Sequence, residues 1–282
     1  MIYSTVDLHC HSTASDGVFT PSELAHRAYA HGVKLWSLTD HDEVAGQAEA
    51  MTTAQSLGVQ YVTGIEISVT WAGRTLHMVG LNYDLHNKSM LEGLQRIRDD
   101  RTERARIMAD KLEKLGVKNA YEGALAFVDN PELISRTHFA RYMVEQGICK
   151  EVQEVFDKYL ADGKPGYVAG KWATLEEAVE WVIGAGGVAV IAHPGRYKYS
   201  DIEFTQLFNR FKALGGQAIE VVTGSHRPEQ YAQYAEVAKH YGFLASCGSD
   251  FHGFEKVRLE LGRLPLLPAG LTPVWKAWYS GD

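Results

Sequence analysis

Cysteine is scarce in this 282-residue chain: Cys10, Cys149 and Cys247 are the only three, and no pair is spaced as CxxC. That excludes a disulfide framework and a thiolate zinc site, leaving three small side chains for a core, with Cys10 the one worth an oxidation test. Long apolar runs are missing too. No stretch approaches the roughly 20 residues that cross a bilayer, and no basic start followed by an apolar segment marks a leader, so a cytoplasmic protein without a membrane or an obligate protein partner is expected. Positive charge is in deficit, with 28 Lys and Arg against 35 Asp and Glu and a formal net charge of −7. A protein that coats long polyanions needs clustered cations, so that class is disfavoured, while a small anionic substrate is not. Internal repeats and low-complexity segments are absent. The apolar fraction of 45% suits a soluble globular chain of one barrel-sized domain, or a domain with an insertion.

What is present is a rhythm. Short β-type runs recur, VDLHCH, KLWSLTDHD, VQYVTGIEIS, LHMVGLNYD, GVAVIAHPG, AIEVVTG and FLASCGSDFH, each ending near polar residues. Helical segments lie between several of them. Thr20-Pro21-Ser22-Glu23 supplies an N-cap, a first-turn proline and a capping glutamate, with Gly32 as the stop; Thr174 to Glu177 repeats the capping pattern before AVEWVIGAGG, whose glycines end a helix and are not a dinucleotide loop. Strands alternating with helices predict an α/β protein, and seven such strands predict a closed or nearly closed barrel with its chemistry at the strand ends. From about Ser89 to Tyr167 the pattern turns helical. Leu91, Leu94, Ile97, Arg101, Ala105, Met108, Leu112 and Leu115 trace one face of a helix stopping at Gly116, and EGALAFV, THFARYMVEQG and EVQEVFDKYL continue the series. The expected division is barrel over 1–100, a helical insertion over 101–167, and barrel again over 168–282. Acids interleave the arginines of RIRDDRTERAR, which reads as a charged helix face, and Trp36, Trp71, Trp172 and Trp181 read as packing.

The chemistry concentrates in DLHCHSTASDG. On a strand His9 and His11 share one face, so two imidazoles are aimed together, either by solvated accident or as the first half of a metal site. His41, His77, His193 and His252 lie in other strand-end segments, accompanied by Asp16, Glu66 and Asp250. One such histidine is best read as a hydrogen-bonded core residue. Six are a different matter, because each buried polar group without a partner costs on the order of 1 to 3 kcal/mol, a cost that coordination removes.

The ordered set HxH with its following Asp, TDHD, GIEIS, LHMVG, AHPGR and GSDFH resembles the PHP (polymerase and histidinol phosphatase) family across nearly the whole chain. NPELISRTHFAR, YLADGKPGYV and LPAGLTPVWKAW resemble a bacterial branch of it, described by nucleoside 3',5'-bisphosphate phosphatase and 5'-to-3' exoribonuclease activities. The resemblance implies a distorted (β/α)7 barrel and three divalent ions, manganese first, with iron or zinc compatible with mixed imidazole and carboxylate ligation. It assigns His9, His11, Glu66 and Asp250 to one ion, Glu66, His77 and His193 to a second, and Asp16, His41 and His252 to a third. It implies a nucleotide or short 5'-phosphorylated oligonucleotide as the partner. Ser135, Arg136, Thr137 and His138, with Lys164, Tyr167 and Arg196, are candidates for holding it, the alternative being that Ser135 or Thr137 only caps a helix and Arg136 is solvated. Asp16, His41, Arg196 and His226 are the expected catalytic groups: Arg196, with the ions, for charge on the phosphate, and His226 or a metal-bound water for the leaving 3'-oxygen. The rivals are a small-metabolite phosphatase acting on a monoester such as histidinol phosphate, hydrolysis of a C–N bond, and a metal-binding module without activity.

Overall fold

The computed structural model describes residues 4–128, 130–254 and 259–278. The chain divides into two compact units, Met1–Leu94 with Ala173–Asp282, and Gln95–Trp172. The first unit holds the strands β1 (Val6–Asp7), β2 (Leu35–Trp36), β3 (Gln60–Tyr61), β4 (Gly64–Trp71), β5 (Arg74–Leu81), β6 (Ala173–Thr174), β7 (Val188–Ile191), β8 (Ala218–Thr223) and β9 (Leu244–Gly248). They form sheets of order β1-β2-β3 and β6-β4-β5-β7-β8-β9.

Backbone hydrogen bonds join these sheets at both edges. Leu8 N–H donates to Cys247 O at 3.0 Å and His11 N–H to Phe251 O at 2.9 Å, seating β1 on β9; Glu66 N–H donates to Asp40 O at 3.1 Å and Asp42 N–H to Glu66 O at 2.9 Å, seating β4 on the chain after β2. Seven strands therefore follow one another around a ring, β1-β2-β4-β5-β7-β8-β9, with β3 and β6 outside it. The ring is distorted because β5 runs antiparallel to both neighbours. VQYVTGIEIS, one strand by its pattern, is two, because the chain leaves β3 at Val62 and Thr63 before entering β4.

The connecting helices α1 (Pro21–Ala30), α2 (Gln47–Ser56), α7 (Leu175–Gly184), α8 (Asp201–Ala213) and α9 (Pro228–Tyr241) bury one face each. Thr20 with Glu23 and Thr174 with Glu177 form the capping boxes the sequence predicts. Cys10 is fully buried, and Cys149 and Cys247 are buried too, in keeping with their reading as small core side chains; the Cys10 Sγ receives the Trp36 indole N–H at 3.3 Å.

The second unit has its own core, in which Ala105, Met108 and Leu112 of α3 (Lys88–Lys114) pack with Phe139 and Met143 of α5 (Arg136–Glu145), beside α4 (Ala120–Leu125) and α6 (Val152–Val155). EVQEVFDKYL does not form one α-helix: α6 passes into a π-helical turn over Phe156–Leu160. Leu115 lies past the end of α3 and is exposed. No helix among the described residues is long and apolar enough to cross a membrane.

Candidate metal centre

Strand alternation does what DLHCH predicts. His9 and His11 leave β1 with their Nε2 atoms 3.1 Å apart, facing the same point. Glu66 Oε2 stands 3.4 Å from His9 Nε2 and 3.3 Å from His11 Nε2, and Asp250 Oδ1 stands 3.5 and 3.4 Å from the same two atoms. A tetrahedral ion with bonds of about 2.1 Å has ligand-to-ligand edges of about 3.4 Å, so the four atoms are spaced as a first coordination sphere. Glu66 turns its other oxygen to a second group, with His77 Nδ1 at 3.0 Å and His193 Nε2 at 2.9 Å from Oε1. A third collects on Asp16 Oδ1, with His252 Nε2 at 3.3 Å and His41 Nε2 at 3.9 Å. His41 also reaches the second group, its Nδ1 lying 3.0 Å from Glu66 Oε2. All nine candidate ligands thus converge within the barrel unit. The first group is wholly buried apart from Asp250, whereas the Asp16 side chain keeps 39% of its surface exposed.

The donor set fits divalent cations on a physical ground. His11 Nδ1, His41 Nδ1, Glu66 Oε2, His77 Nδ1 and Asp250 Oδ1 are buried and lack a hydrogen-bond partner despite lying this close together. Orphaned polar atoms at this density would cost several kcal/mol in total. Backbone strain adds to the cost, since His193 at φ 28° and Asp250 at φ 54° occupy a region that disfavours a Cβ. Electrostatics respond as expected of an unscreened cluster. Burial alone would raise the Glu66 and Asp250 carboxyls, but the surrounding imidazoles hold both well below the usual range. Burial alone would likewise lower His11, but the Asp250 and Glu66 carboxylates facing it push it up to about 10.

Other candidates divide by position. Arg196 is half exposed, its Nη1 3.4 Å from Asp250 Oδ2. His226 is buried with both ring nitrogens committed: Nε2 accepts from Gly195 N–H at 2.9 Å and Nδ1 donates to Val221 O at 3.1 Å. Burial pushes it down to about 4. The proton of a ring tied in this way is committed to Val221 O, which favours the water over His226 as the proton source for a leaving group. Ser135, Arg136, Thr137, His138, Lys164 and Tyr167 lie in the insertion unit. Ser135 starts α5 and its N–H donates to His138 Nδ1 at 2.9 Å. Arg136 is half-buried rather than solvated, donating to Leu160 O at 3.3 Å with its guanidinium carbon 5.7 Å from the Tyr167 ring. Arg101 and Arg104 line the same crevice as Ser135 and Arg136, although the sequence reads them as a surface face.

Sequence reasoning missed the groups behind the ligands. Glu220 and Tyr197 hydrogen-bond His9 and His193, Ser225 Oγ donates to Asp250 Oδ2, and Asp40 gathers Ser12 and Ser15. Glu220 had a signal, a single carboxylate inside the apolar run AIEVV, as Glu66 is inside GIEI. Ser225 had none.

Comparison with known proteins places the chain in a family. A 3',5'-nucleoside bisphosphate phosphatase of Chromobacterium violaceum is 46% identical over 97% of this chain and 96% of its own length. A 5'-3' exoribonuclease of Haemophilus influenzae is 43% identical over 96% of this chain and 97% of its own. A solved structure described as an amidohydrolase from Chromobacterium violaceum, with bound sulfate and no metal, superposes with a TM-score of 0.90 at 46% identity, covering 97% of this chain and 95% of that one. The PHP domain family model matches residues 7–249, and this chain belongs to the PHP domain family.

Proposed function

We propose that this protein is a metal-dependent phosphoesterase that hydrolyses the ester on the 3' side of a 5'-phosphorylated nucleotide. A nucleoside 3',5'-bisphosphate would yield the 5'-monophosphate and phosphate; the same step on 5'-phosphorylated RNA frees the first nucleotide, a 5'-to-3' exonuclease action. The observation that carries this reading is the convergence of eight imidazoles and carboxylates in three overlapping clusters, with His193 joined to them through Glu66, and with an orphaned buried atom on five of these residues. The named activities of the Chromobacterium and Haemophilus relatives supply the substrate class.

His9, His11, Glu66 and Asp250 would hold one ion, Glu66, His77 and His193 a second, and Asp16, His41 and His252 a third, with manganese the first choice. Divalent ions there supply positive charge for the phosphate oxygens and a water acidified enough to attack at neutral pH. The protein's part is orientation. Arg196, beside Asp250 and half exposed, offers its guanidinium to a non-bridging oxygen of the 3'-phosphate. Ser135, Arg136 and the backbone at the start of α5 would anchor the 5'-phosphate, with Thr137, His138, Lys164 and Tyr167 around them. His226 holds the Gly195 turn that carries Arg196, and the leaving 3'-oxygen takes its proton from water. Such substrates place the activity in the cytoplasm.

The test is a pair of short RNAs differing only in a 5'-phosphate or 5'-hydroxyl, assayed with manganese. The phosphorylated strand is expected to release its first nucleotide as a 5'-monophosphate, and equal cleavage of both strands would overturn the anchoring step.

A further inference from the structure

Behind the candidate ligands runs a continuous chain of hydrogen bonds that no coordination requires. Glu220, on β8 and 1% exposed, uses both carboxylate oxygens: Oε1 accepts from His9 Nδ1 at 2.8 Å, and Oε2 accepts from the backbone N–H of His193 at 2.6 Å. The His193 ring continues the chain from its own Nδ1 to Tyr197 Oη at 3.1 Å, and that hydroxyl also accepts the backbone N–H of His77 at 2.8 Å. The order is His9, Glu220, His193, Tyr197, His77. Two non-ligands link three candidate ligands carried by three different strands. Glu220 can only accept, so the proton of that bond sits on His9 Nδ1, while the Tyr197 hydroxyl holds His193 Nδ1; both rings thereby turn their Nε2 atoms toward the Glu66 carboxylate, the orientation that coordination would need once any Nε2 proton is released.

We propose that Glu220 and Tyr197 are positioning residues, Glu220 fixing the tautomer of His9 and the two together the ring angles of His9 and His193, and so preorganise the first and second ion positions as one unit. The inference rests on the metal-centre reading above. The third position stands outside the chain: His252 Nδ1 bonds the Asp250 carbonyl oxygen at 2.9 Å, and the Asp16 and His252 side chains are partly exposed. Loss of the chain should therefore act on two positions and spare one. A purely structural role for a buried carboxylate predicts otherwise, because a loosened barrel would weaken all three positions and the fold together.

The experiment is a manganese titration of the metal-free full chain, reading free Mn2+ by electron paramagnetic resonance, on wild type, Glu220→Gln and Tyr197→Phe, with the melting temperature of each metal-free protein alongside. Glu220→Gln keeps shape and one acceptor but turns an amide donor toward a second donor; Tyr197→Phe keeps the ring and removes the oxygen. The expected result for each variant is that two of the bound ions dissociate about 10- to 100-fold more readily, the third is unchanged, and the metal-free melting temperature stays near wild type. Wild-type affinities in both variants, or a uniform weakening at all positions with a fall in metal-free stability, overturn the proposal. If Glu220→Gln does not fold, Tyr197→Phe decides alone. A wild type that binds no manganese sinks the metal-centre reading itself, whereas a binding wild type with indifferent variants sinks only this inference.

Discussion

His9 and His11 present their Nε2 atoms to each other across 3.1 Å, nearer than two unprotonated ring nitrogens settle without a cation or a proton between them. In the metal-free protein the neighbouring carboxylates keep a proton there, and with an ion the contact would become two coordinate bonds. His11→Ala should therefore be felt in both states, for different reasons. With manganese present the variant should lose bound metal and at least about 100-fold in kcat/KM, since an ion contributes several kcal/mol to charge stabilisation in the transition state. Without metal it should melt lower than wild type at neutral pH, and the deficit should fade as pH rises toward about 10, where the His11 proton is lost. Metal analysis and paired melting curves check both halves.

The same cluster sets a pH dependence. His11 is pushed up to about 10 from its ordinary 6.5, so its contribution to the stability of the metal-free fold is complete below pH 6.5 and is lost as pH rises through about 10. Burial pushes His193 down to about 3 and His226 down to about 4; their contributions are present above pH 6.5 and are lost as pH falls from there toward those values. The metal-free protein should accordingly melt highest near pH 6.5. Manganese should move that maximum upward, because ligands bind ions only after releasing their protons. Melting temperature against pH, with and without the ion, reads the shift directly.

The clustering of the candidate ligands was legible in the sequence because histidine and carboxylate are rare at the ends of apolar strands, so their recurrence in DLHCH, TDHD, GIEIS and GSDFH is a pattern rather than noise. The α/β alternation and both capping boxes were legible for a similar reason, since each rests on neighbours within a few residues. Relations across the chain were not. Nothing in SHRPEQ says that His226 will be consumed by the backbone of Gly195, 31 positions earlier, or that Glu220 will find His9 across 211. Arg101 and Arg104 sit among acids in the sequence, and the crevice they share with Arg136 forms only when α3 and α5 fold together. The break between β3 and β4 is likewise tertiary, because β3 continues the β2 edge while β4 turns to pair with β5.

One glycine tests how closely β9 must approach β1. A Cβ built on Gly248 would stand 2.1 Å from His9 Cβ and 2.6 Å from His9 N, with backbone rather than a flexible side chain in the way. Gly248→Ala should cost at the upper end of the about 1–3 kcal/mol typical of overpacking, or more, and should displace His9. Denaturant midpoints and metal content should fall together; a stable variant with full manganese would show that the strands have room.

Arg136→Ala tests the anchor for the 5'-phosphate. A charge-assisted hydrogen bond is worth about 1.5–3 kcal/mol, so kcat/KM for a 5'-phosphorylated substrate should drop about 10- to 100-fold while the poor turnover of its 5'-hydroxyl counterpart stays put. Because Arg136 also donates to Leu160 O, the melting temperature must be followed alongside, and only a selective loss identifies a phosphate contact.

His226→Gln separates two roles that its place in the sequence leaves tangled. A general acid contributes about 100- to 10,000-fold, and its removal erases a limb of the pH–rate profile. The surroundings of His226 assign it different work: bonded to Gly195 N–H and Val221 O, it pins the turn from which Arg196 projects toward Asp250. Glutamine retains a donor and an acceptor of similar reach. The variant should keep kcat within about tenfold of wild type, with both limbs of the profile in place, well short of what loss of an acid would cost. It should also lose part of the acid sensitivity of the wild-type fold between pH 6.5 and 4, because the buried imidazole that resists protonation there is gone. A collapse of kcat with a missing limb and an unchanged acid melting profile would restore His226 to the chemistry.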